Sequence, residues 1–256
     1  MTLQIETVPC LNDNYAFIAH DPETGDTLVV DVPEAGPILD RLNDLGWNVT
    51  KVFLTHHHAD HVQGLGEILD RFSSAVVAGN AEDADRLPKL NVPLRDGDSF
   101  SIGSQTGYVM DVSGHTIGHL ALHFPDSAVV FTADSLMALG CGRVFEGTMP
   151  QMWGSLQKLA ALPPETLVCS GHEYTESNAR FALSVDPAND SLVARVEAVR
   201  AARARNQPTV PSRLLDELET NPFLRAADPA LQAAIGKSGY DPAEVFAEIR
   251  RRKDAF

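Results

Sequence analysis

The sequence predicts an α/β protein: a layered domain of strands and helices over residues 1–172, then a smaller helical domain over residues 173–256. Three observations lead there. Short apolar runs alternate with stretches of helical spacing through the first part. Reactive side chains recur directly after those runs: His56 after Val52-Phe53-Leu54, Asp134 after Val129-Val130-Phe131, His172 after Leu167-Val168-Cys169. Open α/β sheets collect ligands at such strand ends. Beyond His172 the composition turns helical, with interruptions at Asp186-Pro187, Gln207-Pro208 and Asn221-Pro222.

Taken in order, residues 3–8 and 15–19 read as strands, with a hairpin turn at 21–26. Leu28-Val29-Val30 is a short apolar strand, followed by a helix over 35–45 that Gly46 closes. Residues 52–54 form a buried strand, 62–72 a helix, and Val76-Val77 the start of another strand. Further strands are expected at 107–112, 120–124 and 129–132, a helix at 149–162, and a last strand at 167–169. In the second part helices are expected over 175–183, 191–206, 212–218 and 243–252.

Composition narrows the function classes. The net charge is −15, and residues 1–172 carry 8 Lys/Arg against 22 Asp/Glu. That balance disfavours a nucleic-acid partner, because phosphate binding needs an extended basic surface. No apolar stretch reaches the roughly 18 residues of a membrane span, and no basic-then-apolar leader opens the chain. Cys10, Cys141 and Cys169 are scattered without paired spacing, as in a reduced, cytoplasmic protein. A monomer is expected.

The chemistry sits in Thr55-His56-His57-His58-Ala59-Asp60-His61. Imidazole and carboxylate without thiolate suit an open zinc, iron or manganese site. In an extended loop His56 and His58 project to one side. Asp60 and His61 point in different directions and serve a second ion. Later candidates are His115 in Ser113-Gly114-His115-Thr116-Ile117-Gly118-His119, then Asp134, and His172 in Gly171-His172-Glu173-Tyr174. One allocation uses them all: His56, His58 and His115 on metal 1, Asp60, His61 and His172 on metal 2. Asp134 bridges, since a shared ligand needs two accepting oxygens. His57, between two ligands, is expected to point away and pack or hydrogen-bond. Asp31 at a strand end is a candidate to orient a ligand histidine. Cys141 is not expected to act as a nucleophile without a paired base, and Trp47 and Trp153 read as core residues.

These motifs together resemble the metallo-β-lactamase superfamily. Val8-Pro9, Asp13-Asn14-Tyr15, the segment from Gly140 to Thr148, Gly171-His172-Glu173-Tyr174-Thr175, Asn221-Pro222-Phe223 and the closing Arg250-Arg251-Arg252-Lys253-Asp254 narrow the likeness to the glyoxalase II (hydroxyacylglutathione hydrolase) family. The resemblance implies an αββα sandwich followed by a helical domain, with two divalent metal ions, zinc first, iron or manganese also accepted. It implies hydrolysis of S-D-lactoylglutathione to glutathione and D-lactate by a metal-bridging hydroxide, with Asp60 and Asp134 as the catalytic carboxylates. It also assigns Arg143, Phe145, Tyr174, Arg250 and Lys253 to the glutathione thioester. Arg143 and Phe145 replace the Lys and Tyr of the commonest eukaryotic pattern. A lactonase or a persulfide dioxygenase of the same superfamily is the alternative reading.

Overall fold

The structure, a computed structural model, describes residues 2–256. Its backbone forms two compact units. The first combines the residues up to Asp111 with Gly118–Ala133; the second combines Val112–Ile117 with Asp134–Phe256.

In the first unit, β1 (Gln4–Cys10), β2 (Asn14–His20), β3 (Thr27–Val30), β4 (Lys51–Phe53), β5 (Val76–Asn80) and β6 (Val92–Leu94) lie side by side in that order. β1, β2 and β3 are antiparallel, joined by tight turns, whereas β3 to β6 run parallel. Parallel neighbours need a crossover; α1 (Ala35–Leu45) supplies the one between β3 and β4. It ends as expected, with Gly46 at φ 71°, a left-handed cap that glycine adopts without a Cβ clash.

Period-two alternation sorts the side chains of this sheet. Phe17, Val30, Phe53 and Ala78 are register partners on one face, and Ile18, Val29, Val52 and Val77 on the other. The second set packs beneath Ile38 and Leu42 of α1 and Leu65 and Ile68 of α3 (Leu65–Arg71). The first set meets a second sheet, the antiparallel β7 (Ser99–Ile102), β8 (Gln105–Asp111), β9 (Leu120–Phe124) and β10 (Val129–Ala133). Phe17 contacts Phe131 at 5.8 Å and Phe53 contacts Phe100 at 6.2 Å between ring centroids. Each fully buried ring of this kind contributes about 1.5–3 kcal/mol.

The helix expected over 62–72 is broken into α2 (Ala59–Val62) and α3. Close approach explains the break: a Cβ on Gly64 would lie 2.8 Å from the Ala35 nitrogen. The Gly64 and Val32 backbones also exchange bonds with the loop, Gly64 N donating to Val32 O and Val32 N to His61 O. Strands β6 and β7 were not expected, being only three and four residues long, with Pro93 inside β6.

In the second unit, β11 (Leu136–Met137) and β12 (Gly140–Cys141) form a small hairpin. Then come α4 (Met149–Ala160), β13 (Leu167–Ser170), α5 (Thr175–Val185), α6 (Asp190–Arg203), β14 (Ser212–Arg213), α7 (Leu214–Thr220), α8 (Pro229–Ala234) and α9 (Pro242–Asp254). A reciprocal Thr148/Gln151 capping box starts α4. Ser212 and Arg213 pair with β13, so the helix expected from 212 begins at Leu214. The unexpected α8 is started by Asp228, whose side chain accepts from Ala230 N and Leu231 N. Phe246 of α9 is fully buried against Trp153 and Phe223, at 5.8 and 6.1 Å, so Trp153 packs on the core while itself only partly buried. Trp47 stacks on His20 at 4.1 Å.

Candidate metal centre

Asp31 follows β3 and Thr55 follows shortly after β4, so adjacent parallel strands deliver both to one sheet edge. Asp31, at φ 57°, accepts from Thr55 N and Thr55 Oγ1, each at 2.8 Å. The same carboxylate takes His61 Nδ1 at 2.8 Å. This fixes the His61 tautomer with its proton on Nδ1 and turns Nε2 outward as a lone-pair donor. Asp31, His56 and His61 bring ligand-type atoms within 4.8 Å of one another. Because the Asp31 oxygens are engaged by Thr55 and His61, Asp31 orients the histidine.

His56 and His58 do face each other, Nε2 to Nδ1 at 3.1 Å, while Thr55 Oγ1 lies 3.0 Å from His56 Nδ1. The Asp60 and His61 side chains converge more than adjacency predicts, with Oδ2 and Nε2 3.8 Å apart. Asn14 is the reason: its Nδ2 donates to both the Asp60 carbonyl and Oδ2, at 3.0 and 3.1 Å. His57 points away and meets Asp83 Oδ2 at 3.1 Å, and Arg86 braces the other Asp83 oxygen. His119, buried, stacks on His56 at 4.6 Å.

The second unit brings together the other three. Asp134 Oδ2 lies 3.5 Å from His115 Nε2 and 3.3 Å from His172 Nε2, and all three residues are buried. His115 Nδ1 donates to the Arg143 carbonyl at 2.8 Å, so here too Nε2 is left as the outward donor. Two imidazole nitrogens directed at one carboxylate oxygen are a donor set that fits a divalent metal ion. Cys141 is buried, its thiol pushed up to about 11 by desolvation, so it stays protonated at neutral pH and offers no thiolate.

Two of the residues assigned to substrate touch these candidate ligands. Phe145 is exposed and lies edge-on to His115 at 5.3 Å; Tyr174, also exposed, stacks on His172 at 4.6 Å. The Arg143 guanidinium is exposed and sits over the Phe145 ring at 5.6 Å. Lys253 Nζ packs over Phe181 and Phe256 and donates to Ser177 Oγ at 3.3 Å. Burial, and secondarily Arg250 and Arg180, pull its pKa down to about 8. Arg250 is different, being only 5% exposed, with Nη1 on the Cys141 carbonyl and Nη2 on Asp254.

The family description "Metallo-beta-lactamase superfamily" matches residues 13–172, and "Hydroxyacylglutathione hydrolase C-terminus" matches residues 173–256. A hydroxyacylglutathione hydrolase of Roseobacter denitrificans is 61% identical over 256 residues, covering 100% of both chains. The chain belongs to the hydroxyacylglutathione hydrolase family of the metallo-β-lactamase superfamily. The crystal structure of ETHE1 from Myxococcus xanthus aligns with a TM-score of 0.69 at 26% identity, covering 98% of this chain and 90% of that one. TTHA1623, in a di-iron-bound form, aligns with a TM-score of 0.54 at 26% identity over 64% of this chain and 90% of its own. The fold is thus that of the superfamily, followed by the helical C-terminal domain.

The roles missed in the sequence are those of supporting residues: Asn14 on Asp60, Thr55 on His56, Asp83 on His57 and Asp254 on Arg250. Asp83 carries a local signal, since Asn80 caps the turn Ala81–Asp83. Nothing local marks its pairing with His57, because that contact joins two loops.

Proposed function

We propose that this chain hydrolyses glutathione thioesters of 2-hydroxy acids, principally S-D-lactoylglutathione, to glutathione and D-lactate. The observation that carries the reading is that each ligand-type histidine of the second unit abuts an exposed ring suited to packing a tripeptide, His115 on Phe145 and His172 on Tyr174. The family name of the relatives supports the same substrate class.

In this reading His56, His58 and His115 hold one metal ion, Asp60, His61 and His172 a second, and Asp134 is shared. Zinc is the first expectation; the di-iron form of a related structure supports iron as an occupant, and manganese suits the same donors. Two divalent ions, when bound, supply Lewis acidity toward the thioester carbonyl and lower the pKa of water. Asp60, fixed by Asn14, orients the attacking water through Oδ2. Asp134 turns Oδ2 toward both imidazoles, 3.5 Å from His115 Nε2 and 3.3 Å from His172 Nε2. The Arg143 guanidinium meets one glutathione carboxylate, with two parallel donors available, and the Lys253 ammonium meets the other. Phe145 and Tyr174 pack the peptide, and Arg250 braces the segment behind Arg143. In this reading residues 1–172 carry catalysis together with Arg143 and Phe145 of the substrate site, and residues 173–256 supply the rest of substrate recognition.

The proposal includes a cytoplasmic monomer that binds neither nucleic acid nor membrane. Among the described residues no helix is long and apolar enough to cross a membrane. A lactonase or persulfide dioxygenase is not favoured, because the 173–256 match is to hydroxyacylglutathione hydrolases. The test is hydrolysis of S-D-lactoylglutathione by protein of measured metal content, beside Asp134→Ala. Removing the shared carboxylate is expected to lower kcat on the order of 10²–10³-fold. Two bound metals without thioester hydrolysis would overturn the proposal.

A further inference from the structure

We infer that the helical tail positions a metal ligand as well as substrate: Arg250, braced by Asp254, holds the strap Cys141-Gly142-Arg143, whose carbonyl orients His115. This rests on the ligand role proposed for His115 and gives the tail a second task.

The strap lies directly on two of the candidate ligands. A Cβ on Gly142 would fall 1.9 Å from the Asp134 carbonyl oxygen and 3.0 Å from His115 Nδ1. One residue on, the Arg143 carbonyl accepts the His115 Nδ1 proton at 2.8 Å, which sets both tautomer and ring direction. A shift of the strap therefore moves His115.

Past Cys141, the last residue of β12, the strap has no regular structure, and side chains from the helical tail hold it. Arg250 Nη1 donates to the Cys141 carbonyl at 2.9 Å, and Asn221 Nδ2 to the Gly140 carbonyl at 2.9 Å. Asp254 Oδ1 receives Arg250 Nε at 3.1 Å and Nη2 at 2.9 Å, and lies 3.8 Å from Arg143 Nε. One carboxylate thus ties the buried arginine to the exposed one. The Arg250 guanidinium also lies over the Phe223 ring at 5.0 Å. A buried ion pair of this kind adds little net stability over an apolar replacement. Its specific effect is geometric, fixing a carbonyl that in turn fixes an imidazole.

The experiment is zinc affinity of the full-length protein, measured by competition with a chromophoric chelator. Arg250→Lys keeps a positive charge but cannot bond the Cys141 carbonyl and Asp254 with the same fork. It is expected to weaken one of two zinc ions about tenfold and leave the other unchanged. Asp254→Asn should produce a smaller loss at the same ion. Lys253→Ala should leave both zinc affinities at the wild-type level and raise KM. Wild-type zinc affinity in Arg250→Lys, with an unchanged near-ultraviolet circular dichroism spectrum, would overturn the inference. If Arg250→Lys does not fold, wild-type zinc affinity in Asp254→Asn overturns it instead. The titration uses no thioester, so a protein inactive on S-D-lactoylglutathione would sink the substrate reading while leaving this result to stand or fall by itself.

Discussion

In the first unit His56, His58, Asp60 and His61 occupy six consecutive residues, and the groups that aim them lie on neighbouring loops of one sheet edge. Asp31 and Thr55 follow adjacent parallel strands, and Asn14 opens β2. In the second unit His115, Asp134 and His172 come from three separate segments. Their strap is held by Asn221 and Arg250, about eighty and more than a hundred residues farther along than the carbonyls they bind. The first set of candidate ligands is organised by short-range topology, the second by long-range packing of helices. Local perturbations should therefore damage the two sets in different ways.

The largest expected effect tests the second set. Gly142→Ala pushes a methyl group against a backbone carbonyl, which cannot rotate away as a flexible side chain would. Displacing the strap turns His115, and zinc affinity should fall on the order of a hundredfold, with kcat following. Wild-type zinc affinity in that variant would show that the strap and His115 move independently.

Asp31→Ala is the corresponding test of the first set. It removes the acceptor for His61 Nδ1 and for Thr55 N. Zinc affinity should drop roughly 10–100-fold, and the unpaired buried donors should cost about 1–3 kcal/mol in a urea melt. If stability falls while zinc binding holds, Asp31 supports the loop without aiming the imidazole.

The smallest effect separates substrate recognition from both ligand sets. Lys253 has its pKa lowered from 10.5 to about 8, chiefly by burial. The ammonium is present below that value, so kcat/KM for the thioester should decline several-fold as pH rises through about 8. Lys253→Ala should lack that limb, and an identical profile in the variant would remove Lys253 from the site. The stability sign is opposite. Between about 8 and 10.5 the unfolded chain binds a proton that the folded chain has released, so this group's contribution to stability rises with pH across that window. Urea melts of Lys253→Met should show a flatter pH dependence there.

Legibility in the sequence followed the same divide. Strands β1 to β5 of the first sheet could be read because their apolar runs are local, and Gly46 closed α1 where its left-handed φ requires it. The helix read through Gly64 failed because the residue that breaks it does so through contact with Ala35, a neighbour only in space. Strand β14 was missed for a similar reason: two residues become a strand only by pairing with β13. His57 was read correctly as turned away from its neighbours, but Asp83 as its partner was not legible. Arg250 shows the limit most clearly. The family resemblance picked it from three consecutive arginines as a substrate residue, and only the structure shows it 5% exposed and bonded to Cys141 where Arg251 and Arg252 are exposed.

By itself the sequence determined the family and which donor types are available to a metal, because donor identity and spacing are properties of the chain that survive any folding detail. The orientation of each donor was decided only by tertiary structure. A histidine presents one nitrogen or the other according to which acceptor its partner loop places beside it, Asp31 for His61 and the Arg143 carbonyl for His115. Those acceptors lie about thirty residues away along the chain, and hydrogen bonds act over ångströms in space, so only the folded backbone brings them within reach.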